Sequence, residues 1–157
     1  MQKNRVAAAV LALTALAGTA AALSVTDAHA ATAANSSTTT FVLSAHQTGF
    51  AMVDVGKKGQ SAGDSMLFTE TLKDAKGRLV GSDQVQCVQS FGGHMLCNGV
   101  LVLNHRGTLT LNGLGSQSGP FRLAVTGGTS GYSGARGQLT IAGKPNGDST
   151  LTVSLAG

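Results

Sequence analysis

The chain has 157 residues, 42% of them apolar, with a formal net charge of +4, two cysteines, one tyrosine and no tryptophan. That length suits one domain with one core. The basic residues are scattered, with no run longer than Lys57–Lys58, and nucleic acid, which wants a charged stripe and stacking aromatics, is set aside as a partner.

The N-terminus reads as an export signal. Lys3 and Arg5 precede the uncharged run at 6–23, and Ala28 and Ala30 then occupy the small-residue positions of an A-x-A site. Basic start, apolar middle and A-x-A together predict cleavage after Ala30. The rival reading is a membrane anchor, since the 18 residues of 6–23 nearly suffice to span a bilayer; the A-x-A site favours cleavage. No later segment is apolar enough to span, so no membrane partner is expected once 1–30 is removed. Residues 31–157 then form a secreted, extracellular chain with nine Lys or Arg against six Asp or Glu.

Residues 31–40, "ATAANSSTTT", are small and polar and predict a flexible leader. From there to the end, short alternating runs are separated by turn residues, and no stretch holds a helical period. This predicts an all-β domain over 41–157. The strands in order are 40–47, 50–55, 65–72, 78–89, 94–104, 108–114, 121–127, 137–143 and 149–155. Of these nine runs the second is the weakest, and seven or eight true strands are expected in all. Residues 57–64 read as a loop, and Asn146–Gly147 is a favoured hairpin turn. Hairpin-length connections predict up-and-down antiparallel pairing.

Alternate strand residues point to opposite faces. Phe41, Leu43, Phe68, Leu101, Leu109, Leu123, Leu139 and Val153 share one face, while Thr69, Gln84, Asn98, Thr110 and Thr152 share the other. A sheet with one apolar face must pack on a second sheet or close on itself. The cysteines fit this register. With the hairpin centred on Gly92, residues whose numbers add to the same total face each other, and Cys87 meets Cys97. An exported chain with an even pair favours a structural disulfide over two buried thiols.

The stretch "GGTSGYSGARG" (127–137) needs its own account. No lysine follows as a phosphate-binding loop requires, and a strand rather than a helix comes next. Tyr132, Ala135 and Arg136 interrupt the glycines, which argues against a loose linker. A corner, where glycine permits positive φ and close backbone approach, remains.

Here a resemblance enters. "AVTGGTSGYSGARGQLTI" (124–141) resembles the G-G-T-G-x-[FY]-x-x-A-R-G signature of dirigent proteins and its counterpart in the allene oxide cyclase barrels. "GDSMLFTETLKDAKGRLVGSDQVQCV" (63–88) and "GDSTLTVSL" (147–155) are similar to shared segments of the same superfamily. The resemblance spans about residues 50–156. It implies a single eight-stranded antiparallel up-and-down β-barrel with an apolar lumen, often oligomeric, so a homo-oligomer is a candidate state. The family's functions are mixed: cyclases, guides of phenoxy-radical coupling, and guides of cycloaddition. Their common physics is a dry cavity that orients a reactive substrate.

Two functions are therefore weighed. One is a barrel that binds or stereochemically guides an apolar small molecule, with cyclase activity included. The other is a non-enzymatic scaffold whose lumen is filled by its own side chains. Under the first, Glu70 is the candidate catalytic group, since it shares parity with Phe68 and a carboxyl in an apolar lumen has a raised pKa. Phe68, Tyr132 and Arg136 are the candidate ligand-binding residues. Tyr132 and Arg136 also suit structural roles, the ring plugging the corner and the guanidinium tying backbone carbonyls. Asp83 shares the inward parity but reads as structural. Asp64 reads as a turn residue bonding backbone amides, and the family's early aspartate role is not carried to Asp54. His46, His94 and His105 lack ligand spacing, so no metal site is expected. No cofactor motif or nucleophile motif appears, and no cofactor is expected.

Overall fold

A computed structural model describes residues 37–116 and 121–157. The predicted signal at 1–30 and most of the predicted leader lie outside the described residues.

Eight strands form one closed antiparallel barrel in chain order: β1 (Thr38–Val53), β2 (Ser65–Lys73), β3 (Leu79–Gln89), β4 (His94–Leu103), β5 (Gly107–Ser116), β6 (Phe121–Gly128), β7 (Arg136–Gly143) and β8 (Ser149–Ala156). Each strand pairs with its neighbours in sequence, and β1 closes the ring against β8, from Thr38 opposite Ala156 to Ala45 opposite Ser149. The expected all-β barrel is therefore the observed one, with its lumen face drawn from the expected apolar set. Thr38 and Thr39 belong to β1, so the strand starts within the segment expected to be a leader. Three consecutive threonines, Thr38 to Thr40, pair there with Ala156, Leu155 and Ser154 of β8, which gives the backbone a partner.

The segments 40–47 and 50–55 are one strand rather than two. The register of β1 against β2 slips between Gln47 and Gly49. A bulge inserts one residue and reverses which parity faces inward. Before it, Leu43 and Ala45 face the core. Beyond it, Phe50 lies opposite Phe68 and Met52 opposite Met66, on the lumen side. Gly49 sits at this point, and a Cβ there would force the Thr69 hydroxyl to turn away.

The two ends of the barrel differ. At one end, here the closed end, Leu72, Leu101, Leu109 and Val153 are fully buried and fill the lumen. The corner at 128–135 seals it. Tyr132 is buried, 6.4 Å from the Phe41 ring, with the Arg106 guanidinium 5.1 Å above its own ring. Gly128 packs so tightly against Thr108 and Tyr132 that a Cβ would collide with both backbones, and Gly134 takes φ +73°. These contacts explain the glycine-rich stretch as a corner.

At the other end, the open end, β1 runs on past its last β8 partner and pairs with β2 alone up to Val53. The loop after it is held by Asp64. One carboxylate oxygen of Asp64 accepts from the Val55 amide at 2.8 Å and the other from the Ser61 amide at 2.7 Å. Asp64 is thus the local turn-former that was expected. Its pKa is lowered, first by the Val55 amide and then by the Ser61 amide.

Cys87 lies opposite Cys97 across β3 and β4, and the two are joined in a disulfide. The Cα–Cα distance is 4.0 Å, in keeping with the closer kind of antiparallel pair.

Candidate functional site

The open end leads into a cavity of about 330 Å³ inside the barrel. Its wall is mostly apolar: Phe68, Val85, Cys87, Met95, Phe121 and Leu123 all line it. Alternation on β2 puts Phe68 and Glu70 on the inward face together. Among the described residues, Glu70 is the only carboxyl-bearing side chain in the cavity lining. Gln47, directly opposite Glu70 on β1, is a further polar group there.

Behind Glu70 stands Asp83, its partner on β3. Asp83 is 2% exposed, and its Oδ1 has no hydrogen-bond partner. Burial pushes its carboxyl up to about 8, and the Glu70 charge and a side-chain hydrogen bond to Glu70 push in the same direction. At neutral pH Asp83 therefore keeps its proton, and the pair presents at most one negative charge to the lumen. A protonated acid beside a carboxylate can fix the orientation of that carboxylate by donating to it.

The expected site residues divide between the two ends. Phe68 and Glu70 line the cavity, while Tyr132 and Arg136 lie at the closed end, away from it. The exposed Arg136 guanidinium donates to the Ala135 carbonyl at 2.8 Å and the Gly134 carbonyl at 3.4 Å. Burial raises the Tyr132 pKa, and its hydroxyl has no hydrogen-bond partner. His46 reaches Asp148 at 2.7 Å, near the open end, and this contact is the main reason the Asp148 pKa is lowered. No cluster of three or more His, Cys, Asp or Glu fit to hold a metal occurs among the described residues.

Sequence reasoning missed Gln47 and the pairing of Asp83 with Glu70. A depression of about 940 Å³ on the outer face of β2–β6 is larger than the lumen cavity, but its lining includes no charged side chain. The lumen is the better candidate because its wall sets a carboxyl among apolar side chains.

No protein-family model matches the chain, and no curated protein matches it in sequence. Solved structures do match. The chain is similar to a pyocyanin demethylase at 28% identity and a TM-score of 0.68, over 74% of this chain and 99% of that one. It is similar to the Diels-Alderase AbmU from Streptomyces koyangensis at 12% identity and a TM-score of 0.63, over 79% of this chain and 70% of that one. A pterocarpan synthase dirigent protein aligns at 15% identity and a TM-score of 0.56, over 76% of this chain and 82% of that one. The fold is that of the dirigent-like and cyclase-like barrels. Within that fold, this barrel keeps its cavity at one end and its glycine-rich corner at the other.

Proposed function

We propose that this dirigent-like barrel holds an apolar small molecule in its lumen and guides its reaction, with Glu70 as the catalytic group that meets it. The observation that carries this reading is a single carboxylate in an apolar cavity open at one end, backed by a buried acid. Apolar walls give affinity through water release, and one well-placed polar group gives orientation. Orientation alone contributes several kcal/mol to a reaction whose substrate is already reactive. Glu70 either accepts a proton from the ligand or holds a cationic or hydrogen-bonding group on it. The likeness to a demethylase of pyocyanin, to Diels-Alderases and to dirigent proteins supports a small organic substrate. Tyr132 and Arg136 keep only their corner roles in this reading. The disulfide and the signal-like N-terminus support export.

The filled closed end is what the scaffold alternative requires, but that alternative leaves the cavity at the open end unexplained. Titration with pyocyanin and with an environment-sensitive naphthalene sulfonate dye separates the two readings. The expected result is saturable binding that is lost in Val85→Trp, which fills the cavity, and altered ligand handling in Glu70→Gln. Equal binding by wild type and Val85→Trp would remove the lumen from the function.

A further inference from the structure

The polar side chains of the lumen wall limit what the cavity can hold. Among the described residues they are Gln47, Glu70 and Ser149, with no lysine, arginine or histidine beside them. The rest of the wall is apolar and includes two rings, Phe68 and Phe121, and the Met95 thioether. At the rim, His46 and Asp148 are bonded to each other at 2.7 Å, and the Lys144 ammonium donates to the Ser44 hydroxyl at 3.4 Å. Burial, and then the Glu70 charge, keep the proton on the neighbouring Asp83. The wall therefore carries one negative charge at neutral pH, and no basic side chain among the described residues pairs with it.

That charge sorts the ligands. An anion would set a second negative charge beside Glu70, so it enters only with its charged end left in water at the mouth. A neutral hydrocarbon fills the wall but strips water from Glu70 and leaves the carboxylate unpaired, which is costly. A cation meets the carboxylate directly, and the negative faces of the rings attract it as well. A second positive charge on the same ligand would lie against apolar side chains with no partner. At about 330 Å³ the cavity is at the small end of the usual range for ligand pockets.

We propose that the lumen takes a small lipophilic organic monocation, a protonated amine or an N-alkylated heteroaromatic ring, whose charge pairs with Glu70 and lies against Phe68 and Phe121. This deepens the lumen reading and rests on it. Glu70 then meets the ligand as a counter-charge rather than as a base. Asp83, by keeping its proton, limits the negative charge to one and so selects a single positive charge.

Calorimetric titration at neutral pH with two isosteric probes tests the inference. N-methylquinolinium and 1-methylnaphthalene share size and shape and differ in charge, and the quinolinium charge does not titrate. The expected result is that N-methylquinolinium binds the wild type and that Val85→Trp abolishes its binding. Glu70→Gln weakens N-methylquinolinium by roughly tenfold or more and leaves 1-methylnaphthalene equal or tighter. Gln47→Lys, at an exposed position opposite Glu70, also weakens only the cation, and it keeps the inference testable if Glu70→Gln fails to fold. Lys76→Glu, in the exposed turn between β2 and β3, leaves both affinities unchanged, so the effect is local to the lumen. Circular dichroism confirms that each variant is folded. If 1-methylnaphthalene binds in a way that Val85→Trp blocks, but Glu70→Gln and Gln47→Lys treat the two probes alike or N-methylquinolinium does not bind, the cation assignment is overturned and the lumen reading stands. If neither probe binds the wild type, both are overturned.

Discussion

Glu70 and Asp83 face each other across β2 and β3 inside the barrel, one lining the cavity and the other buried behind it. The pair links the chemistry of the lumen to the stability of the fold. Between the ordinary carboxyl value of 3.8 and about 8, folded Asp83 holds a proton that the unfolded chain has released. Stability from this residue is therefore fully present at low pH and is lost as pH rises through that window, by up to about 1.4 kcal/mol per pH unit. Asp83→Asn is expected to match wild type near pH 4 and to be more stable above pH 8. Urea midpoints of the two proteins across that range check this, and parallel curves would contradict it.

The acid limb has the opposite sign. Asp64 has a lowered pKa because the Val55 and Ser61 amides bond its charged form. Its contribution is present above the ordinary carboxyl range and disappears as pH falls through the folded value. Asp64→Ala is expected to free the end of β1 and the following loop while the closed end stays intact. Hydrogen exchange should show the Val55 and Ser61 amides losing protection while the Leu101 and Leu109 amides keep it.

The Cys87–Cys97 bridge closes a short hairpin. Its loss through the double change to alanine is expected to cost roughly 2–3 kcal/mol. Chemical denaturation measures this directly. Cys87 also lines the cavity, so the same variant should bind the naphthalene sulfonate dye with altered affinity.

Tyr132 separates ring from hydroxyl. The ring is buried at the closed end, and the hydroxyl lacks a partner. Removing an unpaired buried hydroxyl costs little, so Tyr132→Phe is expected to hold or raise the melting temperature. Tyr132→Ala leaves a large void and should cost about 3–5 kcal/mol. A substantial loss in the phenylalanine variant would show that the hydroxyl is bonded in solution.

Much of the barrel was legible in the sequence because alternation is a backbone property. The inward set from Phe41 to Val153 and the facing cysteines follow from period two and from one hairpin centre. The bulge at Thr48 was harder to see. Its trace is the change from odd inward residues, Leu43 and Ala45, to even ones, Phe50 and Met52, which reads as two strands until a partner strand fixes the register. The Glu70–Asp83 pair left a similar trace: the numbers of Phe68 and Val85 add to the same total as those of Glu70 and Asp83. Parity placed both carboxyls inward, but only the register made them neighbours. The location of Tyr132 and Arg136 away from the cavity had no local signal, because it depends on the end at which the chain turns its corner.

The seam between β1 and β8 sets the order in which this molecule can assemble. Every other pairing joins consecutive strands and can form as soon as its hairpin exists. The seam joins residues as far apart as Thr40 and Ser154, whose hydroxyls meet 3.2 Å apart across 114 positions. Closing so long a loop carries the largest entropic cost of any pairing in the barrel. Until β8 arrives, the chain is an open, twisted ribbon with a bare edge on each side, and its last strand converts that ribbon into a ring.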